Sequence, residues 1–175
     1  MALLAFLLSL WPIGKEWHAR WDDGERAMRT EQRLDNLALY DVAQHLRGGH
    51  RLPVLAPWWQ SPALAYWSGQ PCVAGSSHES LPGTVDASRF FLSVDPGEAR
   101  AILARRRVAC VVVYDPERVD KVSSAILGAP IPERSLATIL FRQPHSLPKQ
   151  LNLDYSDASS NASFKVFLWP EGLEQ

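Results

Sequence analysis

The stretch Ser76-Ser77-His78-Glu79-Ser80 places hydroxyls, an imidazole and a carboxylate in five consecutive positions. A hydrolytic reading needs a nucleophile on a strained elbow, with its base brought from elsewhere. There is no G-x-S-x-G here, and neighbours this close in sequence cannot form a triad unaided. The alternative is a polar loop that bonds its own backbone. A second stretch, Ala56 to Pro71, reads APWWQSPALAYWSGQP. It puts Trp58 and Trp59 between prolines at what reads as a strand end, where such a pair serves either core packing or a ligand site. His18, His45, His50, His78 and His145 are scattered, and Cys72 and Cys110 have no C-x-x-C spacing, so neither a metal site nor a cofactor is expected. No G-x-G-x-x-G follows the first strand, and no P-loop lysine is present.

These residues belong to a chain of globular composition, 46% hydrophobic and 21% charged. Its 18 basic and 19 acidic residues leave a net charge of −1, which speaks against a nucleic-acid partner. The tripeptide Arg105-Arg106-Arg107 closes a helical pattern, where cations complement the helix dipole. The two cysteines lie in apolar runs and read as free core thiols. Asn161-Ala162-Ser163 fits a glycosylation acceptor, a tripeptide frequent by chance.

Stepping along the chain, Leu34, Leu37, Ala38, Val42 and Leu46 recur at three- and four-residue steps and predict an amphipathic helix ended by Gly48-Gly49. Leu52 to Ala56 predicts a short buried strand with the tryptophan pair at its carboxyl end. Ser61-Pro62 predicts the cap and first position of a short helix that Ser68-Gly69 terminates. Pro71 to Ala74 reads as a second strand, and Asp86 to Ser93 as a brief helix. Asp95-Pro96-Gly97-Glu98 opens a helix to Arg107 with capping-box logic. Val108 to Tyr114 (VACVVVY) is the strongest strand, apolar throughout as if buried on both faces. Helices follow from Asp115 to Leu127 and over Ser135 to Phe141. Leu151 to Tyr155 and Phe164 to Trp169 then predict an antiparallel hairpin across Ser156 to Ser163.

The expected fold is α/β: a small mixed, mainly parallel sheet flanked by helices, with a C-terminal antiparallel hairpin. Residues 22–175 form a single domain in this reading. In such sheets ligands meet the carboxyl ends of strands, which singles out the loops Pro57 to Ser61, Gly75 to Ser80 and Asp115-Pro116, expected to share one edge. One tryptophan ring is expected to seal that edge against Tyr66 and Trp67.

Ahead of this domain, residues 1–21 carry an apolar run, Ala2 to Gly14, short of the roughly 20 residues that cross a bilayer. It lacks the leading basic residue and cleavage pattern of a signal peptide. Trp11, Lys15, Trp17, Arg20 and Trp21 form the tryptophan and cation mixture of a membrane interface. The segment reads either as the last turns of a transmembrane helix leaving the bilayer or as a core-packing N-terminal helix.

The order of strand, tryptophan pair, short helix ending in Ser68-Gly69, PCVAG, and then ILARRRVACVVVY (Ile102 to Tyr114) resembles the soluble portion of polytopic GT-C membrane glycosyltransferases. It is most similar to the soluble domain of the oligosaccharyltransferase catalytic subunit, over about Leu34 to Tyr114. In that family a W-W-D-Y-G signature follows the first strand, and its tryptophan pair helps bind the hydroxyl residue of an acceptor sequon. Trp58 and Trp59 match the pair, whereas the aspartate is Gln60 here and Tyr-Gly is Ser61-Pro62. A neutral amide still hydrogen bonds, at roughly half the strength of a charge-assisted contact. The family's catalytic acids and metal ligands lie in membrane-domain loops. The resemblance therefore implies an extracytoplasmic, membrane-proximal domain, not catalytic alone, attached to a membrane or membrane-embedded domain through residues 2–21. Its partner would be a peptide or glycan acceptor, met by Trp58, Trp59, Gln60, Tyr66, Ser76, Ser77, His78 and Glu79. The rival reading is a free-standing hydrolase using the His78/Glu79 loop, or a pure interaction module.

Overall fold

A computed structural model describes residues 23–48, 53–144, 151–156 and 164–169. The apolar run at residues 2–21, the Asn161-Ala162-Ser163 tripeptide, and His18, His50 and His145 lie outside the described residues. Helix α1 (Asp23–Leu46) begins well before the predicted apolar periodicity, because Asp23 and Glu25 complement the dipole of its first turn. The division between two compact units falls inside it, after Leu37. In residues 23–37 the helix carries exposed charge, with Arg29 Nη2 3.4 Å from Glu25 Oε2 one turn away.

From Ala38 onward, Leu39, Val42, Ala43 and Leu46 are buried in the core of the second unit. There β1 (Val54–Leu55) leads into α2 (Ser61–Ser68), and a single turn of 3-10 helix at His78–Ser80 runs into α3 (Leu81–Leu92). Then come α4 (Pro96–Arg105), β2 (Cys110–Tyr114), α5 (Pro116–Leu127), α6 (Leu136–Arg142), β3 (Asn152–Ser156) and β4 (Phe164–Leu168). The four strands form one sheet in the order β1-β2-β4-β3. β1 runs parallel to β2, with Val54 opposite Cys110 and Leu55 opposite Val111. β4 is antiparallel to both β2 and β3.

The α/β class, the mixed sheet and the terminal hairpin are as expected. The parallel share is smaller than expected, because the hairpin docks directly on β2 and contributes two antiparallel ladders. Pro71 to Ala74, expected as a strand, is reduced to one parallel bridge between Cys72 and Val54. Its backbone is nonetheless held by Val73 N–H donating to Val54 O and Val54 N–H to Pro71 O. β2 is buried at all five positions, as its uninterrupted apolar character requires. α5 and α6 lie against β2, and α3 packs on α5.

Helix α3 starts five residues before the predicted Asp86, since Pro82 is preorganised for a first turn. Gly83 sits inside this helix, where glycine is ordinarily unfavourable, for a packing reason. A Cβ there would lie 1.8 Å from Val73 O, so only glycine lets α3 approach the 72–74 segment. Further along α3, the buried Asp86 carboxylate accepts from Arg105 Nη2 at 2.8 Å and Arg106 Nε at 2.7 Å. Burial alone would raise this carboxyl, but the two guanidiniums outweigh it and hold it below the usual carboxylate range. Two members of the basic tripeptide thus anchor α4 to α3. The third, Arg107, adopts φ 51° at the helix end. Its N–H donates to Ala104 O, and Val108 N–H donates to Leu103 O, which together make a Schellman stop with arginine in the glycine position.

Asp95 caps α4 as predicted, accepting from Gly97 and Glu98 N–H. The Glu98 carboxylate bonds Ser93 Oγ at 2.8 Å instead of closing a capping box. α5 and α6 are tied through Asp120, whose Oδ2 accepts from Ser135 Oγ at 2.7 Å and Thr138 Oγ1 at 3.2 Å. Burial pushes this carboxyl up in spite of those donors. At the sheet edge, the register of β3 shifts between Leu153 and Tyr155, and Asp154 Oδ2 meets His45 Nε2 at 2.7 Å while the His45 ring lies 4.9 Å from Tyr155. Both cysteines are free; burial pushes the Cys72 thiol up to about 12 and raises Cys110 as well.

Candidate functional site

β1 ends where Pro57 removes a backbone donor from the ladder. Pro57 O then accepts from Gln60 N–H at 3.0 Å and Ser61 N–H at 3.1 Å, and Ser61 Oγ donates to the same oxygen at 3.1 Å. This closes a tight turn over Trp58, Trp59 and Gln60. Ser61, expected as the helix cap, is instead the first residue of α2, and Gln60 occupies the cap position with helical backbone angles. The Gln60 side chain makes no capping bond. It is buried at 6% exposure, and its Oε1 has no hydrogen-bond partner. Two residues earlier, the buried Nε1 of Trp58 is also without one. An orphaned acceptor and an orphaned donor in one turn are costly, at roughly 1–3 kcal/mol each.

The two indoles meet edge to face at 6.3 Å and 87°, both half-buried against the core. The Arg118 guanidinium lies 5.5 Å over the Trp59 ring. Arg118 stands in the first turn of α5 and also lies 5.8 Å over Tyr114, the last residue of β2. Tyr114 in turn packs on Phe164 at 4.8 Å. The carboxyl ends of the parallel pair β1 and β2 therefore converge on one aromatic and cationic edge, where two of the three expected loops meet.

Sequence reasoning pointed to the Asp115-Pro116 loop but missed Arg118 and Tyr114. The only available signal was their position within four residues of a strand end. Among the described residues, no hydrogen bond or ring contact joins the third loop to this edge. Ser76, Ser77, His78 and Glu79 are all exposed, with Ser80 Oγ donating to Ser77 O at 2.6 Å as a self-bonded polar loop. Tyr66 is 84% exposed, and Trp67 packs edge-on to Tyr40 at 5.6 Å. Among the described residues no ring stacking joins the tryptophan pair to Tyr66 or Trp67, and the side chain over Trp59 is that of Arg118. Among the described residues no cluster of three or more His, Cys, Asp or Glu could hold a metal ion. No helix among them is long and apolar enough to cross a membrane.

No protein-family model and no curated protein sequence matches the chain. Solved structures do. A crystal structure of the C-terminal globular domain of oligosaccharyltransferase from Archaeoglobus fulgidus superposes with a TM-score of 0.56 at 19% identity, over 75% of this chain and 94% of that one. A second structure of such a domain from the same organism gives 0.53 at 20% identity, over 75% and 92%. The fold is that of an oligosaccharyltransferase C-terminal domain. The resemblance drawn from the strand, tryptophan pair, helix and strand order is met at the level of fold. Function must be argued from the site, since one fold serves many activities.

Proposed function

We propose that this chain is an accessory domain of a glycosyltransferase-related membrane protein, extracytoplasmic and membrane-proximal, that binds an acceptor hydroxyl at the Trp58 to Gln60 turn. One observation carries the reading: a buried donor, Trp58 Nε1–H, and a buried acceptor, Gln60 Oε1, stand two residues apart with neither satisfied. A hydroxyl accepts from the first and donates to the second, and is the smallest ligand group that does both. Trp59 supplies the apolar wall. Tyr66 and the 76–79 loop, exposed and away from this turn, take no part in it. In this reading transfer chemistry belongs to a membrane-embedded partner domain that residues 2–21 would join.

Titration of the full chain with a threonine-containing peptide and its valine counterpart, followed by tryptophan fluorescence, tests the site. Threonine should bind roughly tenfold more tightly, because a site built around hydrogen bonds rejects the isostere that lacks them. Trp58→Phe or Gln60→Leu should erase that preference. Equal affinity for the two peptides would sink the reading. For the membrane role, removing residues 2–21 should release the chain from lipid vesicles, and unchanged recovery with them would refute it.

A further inference from the structure

Among the described residues two carboxyl groups are buried, Asp86 and Asp120. Asp86 is bonded by two guanidiniums, whereas no described cation lies within ion-pair distance of Asp120. The two oxygens of Asp120 are also unequal. Oδ2 accepts from Ser135 Oγ and Thr138 Oγ1, while the buried Oδ1 has no hydrogen-bond partner. In an ionised carboxylate resonance would put half the charge on that bare atom, a costly arrangement out of water. A neutral carboxyl fits the division: one carbonyl oxygen takes both donors, and the other oxygen carries the proton. Charged groups on the elements packed around Asp120 do not supply the missing partner. On α6, Arg142 Nη2 donates to Glu117 Oε1 at 3.0 Å. On α3, Asp86 is held by Arg105 and Arg106, and Arg89 is exposed. β2 brings only Cys110 and Tyr114 as titratable side chains. Glu133 and Arg134 before α6, and Arg118 and Lys121 on α5, are exposed, and Asp115 caps α5. Arg142 alone among these favours the charged form of Asp120 appreciably, and burial outweighs it together with the two hydroxyls.

We propose that Asp120 is a pH-sensitive latch between α5 and α6, closed when its carboxyl is neutral and loosened when the proton is lost to solvent. The closed form ties Asp120 to the first turn of α6. Ser135 Oγ accepts from Thr138 N–H at 3.1 Å, capping that helix, and donates its own proton to Asp120 Oδ2, to which Thr138 Oγ1 donates as well. Once the proton leaves, the charge that reaches Oδ1 is solvated only if water enters between the two helices. Separation of α6 from α5 at this end is the local way to admit it. The latch does not depend on the hydroxyl reading above.

Carbon-13 NMR of the full chain labelled at its aspartate carboxyls reads the proton directly, with Asp120→Asn assigning the signal. The Asp120 midpoint should lie above the unperturbed value of about 3.9, and one at or below it would overturn the proposal. Asn at this position keeps an oxygen for Ser135 and Thr138 and cannot ionise. Because the carboxyl is raised in the folded state, its stabilisation is complete below the unfolded value and is lost as pH rises through the folded one. The wild-type unfolding constant from urea titrations should therefore rise, relative to Asp120→Asn, roughly tenfold per pH unit from about pH 4 to the measured midpoint, then level off. Asp86 is common to both proteins and cancels. Amide hydrogen exchange locates the opening: over that window wild-type protection should fall below that of the variant in α6 more than in α4. A loss shared evenly by all helices, or no loss, would refute a local latch. If Asp120→Asn does not fold, Thr138→Val takes its place. It removes a donor that favours the charged form and should move the Asp120 midpoint further up, and an unmoved midpoint would count against the assignment.

Discussion

Replacement of Asp86 by asparagine isolates the ion-pair cluster that joins α3 to α4. The carboxylate side chain is 8% exposed, and its two oxygens each accept one guanidinium N–H, at 2.8 and 2.7 Å. A hydrogen bond to a charged group contributes about 1.5–3 kcal/mol. Arg105 and Arg106 are themselves 56% and 32% exposed, so solvent screens both, and asparagine retains one accepting oxygen. The expected loss near neutral pH is then about 2 kcal/mol, or roughly 6 °C in melting temperature for a domain of this size. The sign with pH follows from the direction of the shift. Asp86 is held below the usual carboxylate range when folded, so its stabilisation is present above the unfolded value of about 4 and is lost as pH falls through the folded value. Urea denaturation followed by circular dichroism should therefore show wild type and Asp86→Asn converging as the pH is lowered below about 4. Asp120, whose carboxyl is raised, contributes with the opposite sign, but it is present in both proteins and cancels in the difference. A gap that stays constant down the whole acid limb would refute the assignment of this stabilisation to the Asp86 charge, as would a variant as stable as wild type near neutral pH.

Gly83→Ala should destabilise by about 1–3 kcal/mol despite the better helix propensity of alanine, because the new methyl meets the Val73 carbonyl and α3 must back away. A thermal melt unchanged from wild type would show that the close approach carries no such constraint. Arg107→Gly should raise stability by about 0.5–1 kcal/mol in urea titrations, since it removes a side chain from a left-handed position. A loss of stability there would mean that the Arg107 side chain contributes more than its backbone conformation costs.

Much of the element order is written locally. Asp95-Pro96 and Asp115-Pro116 each combine a side-chain cap with a residue preset for the first helical turn, and both start helices where predicted. Gly69 and Gly128 end helices in left-handed conformations, and the Val111-Val112-Val113 run is strand by composition and by burial. Pro71 to Ala74 was misread as a strand, because whether four apolar residues form a ladder or a single bridge depends on what another segment places against them.

The candidate site divides along the same line. The Trp58-Trp59-Gln60 turn follows from the sequence, because Pro57 ends the strand and Pro62 starts the helix within five residues. That Trp59 meets Arg118, 59 positions further on, is decided by the parallel pairing of Val54 with Cys110, which brings the ends of β1 and β2 to one edge. Tertiary structure alone also left Trp58 Nε1 and Gln60 Oε1 buried without partners. Caps and turns are settled by interactions spanning three or four residues. Which side chains share an edge, and which polar atoms lose water without gaining a partner, is settled by register and packing between segments far apart in the chain.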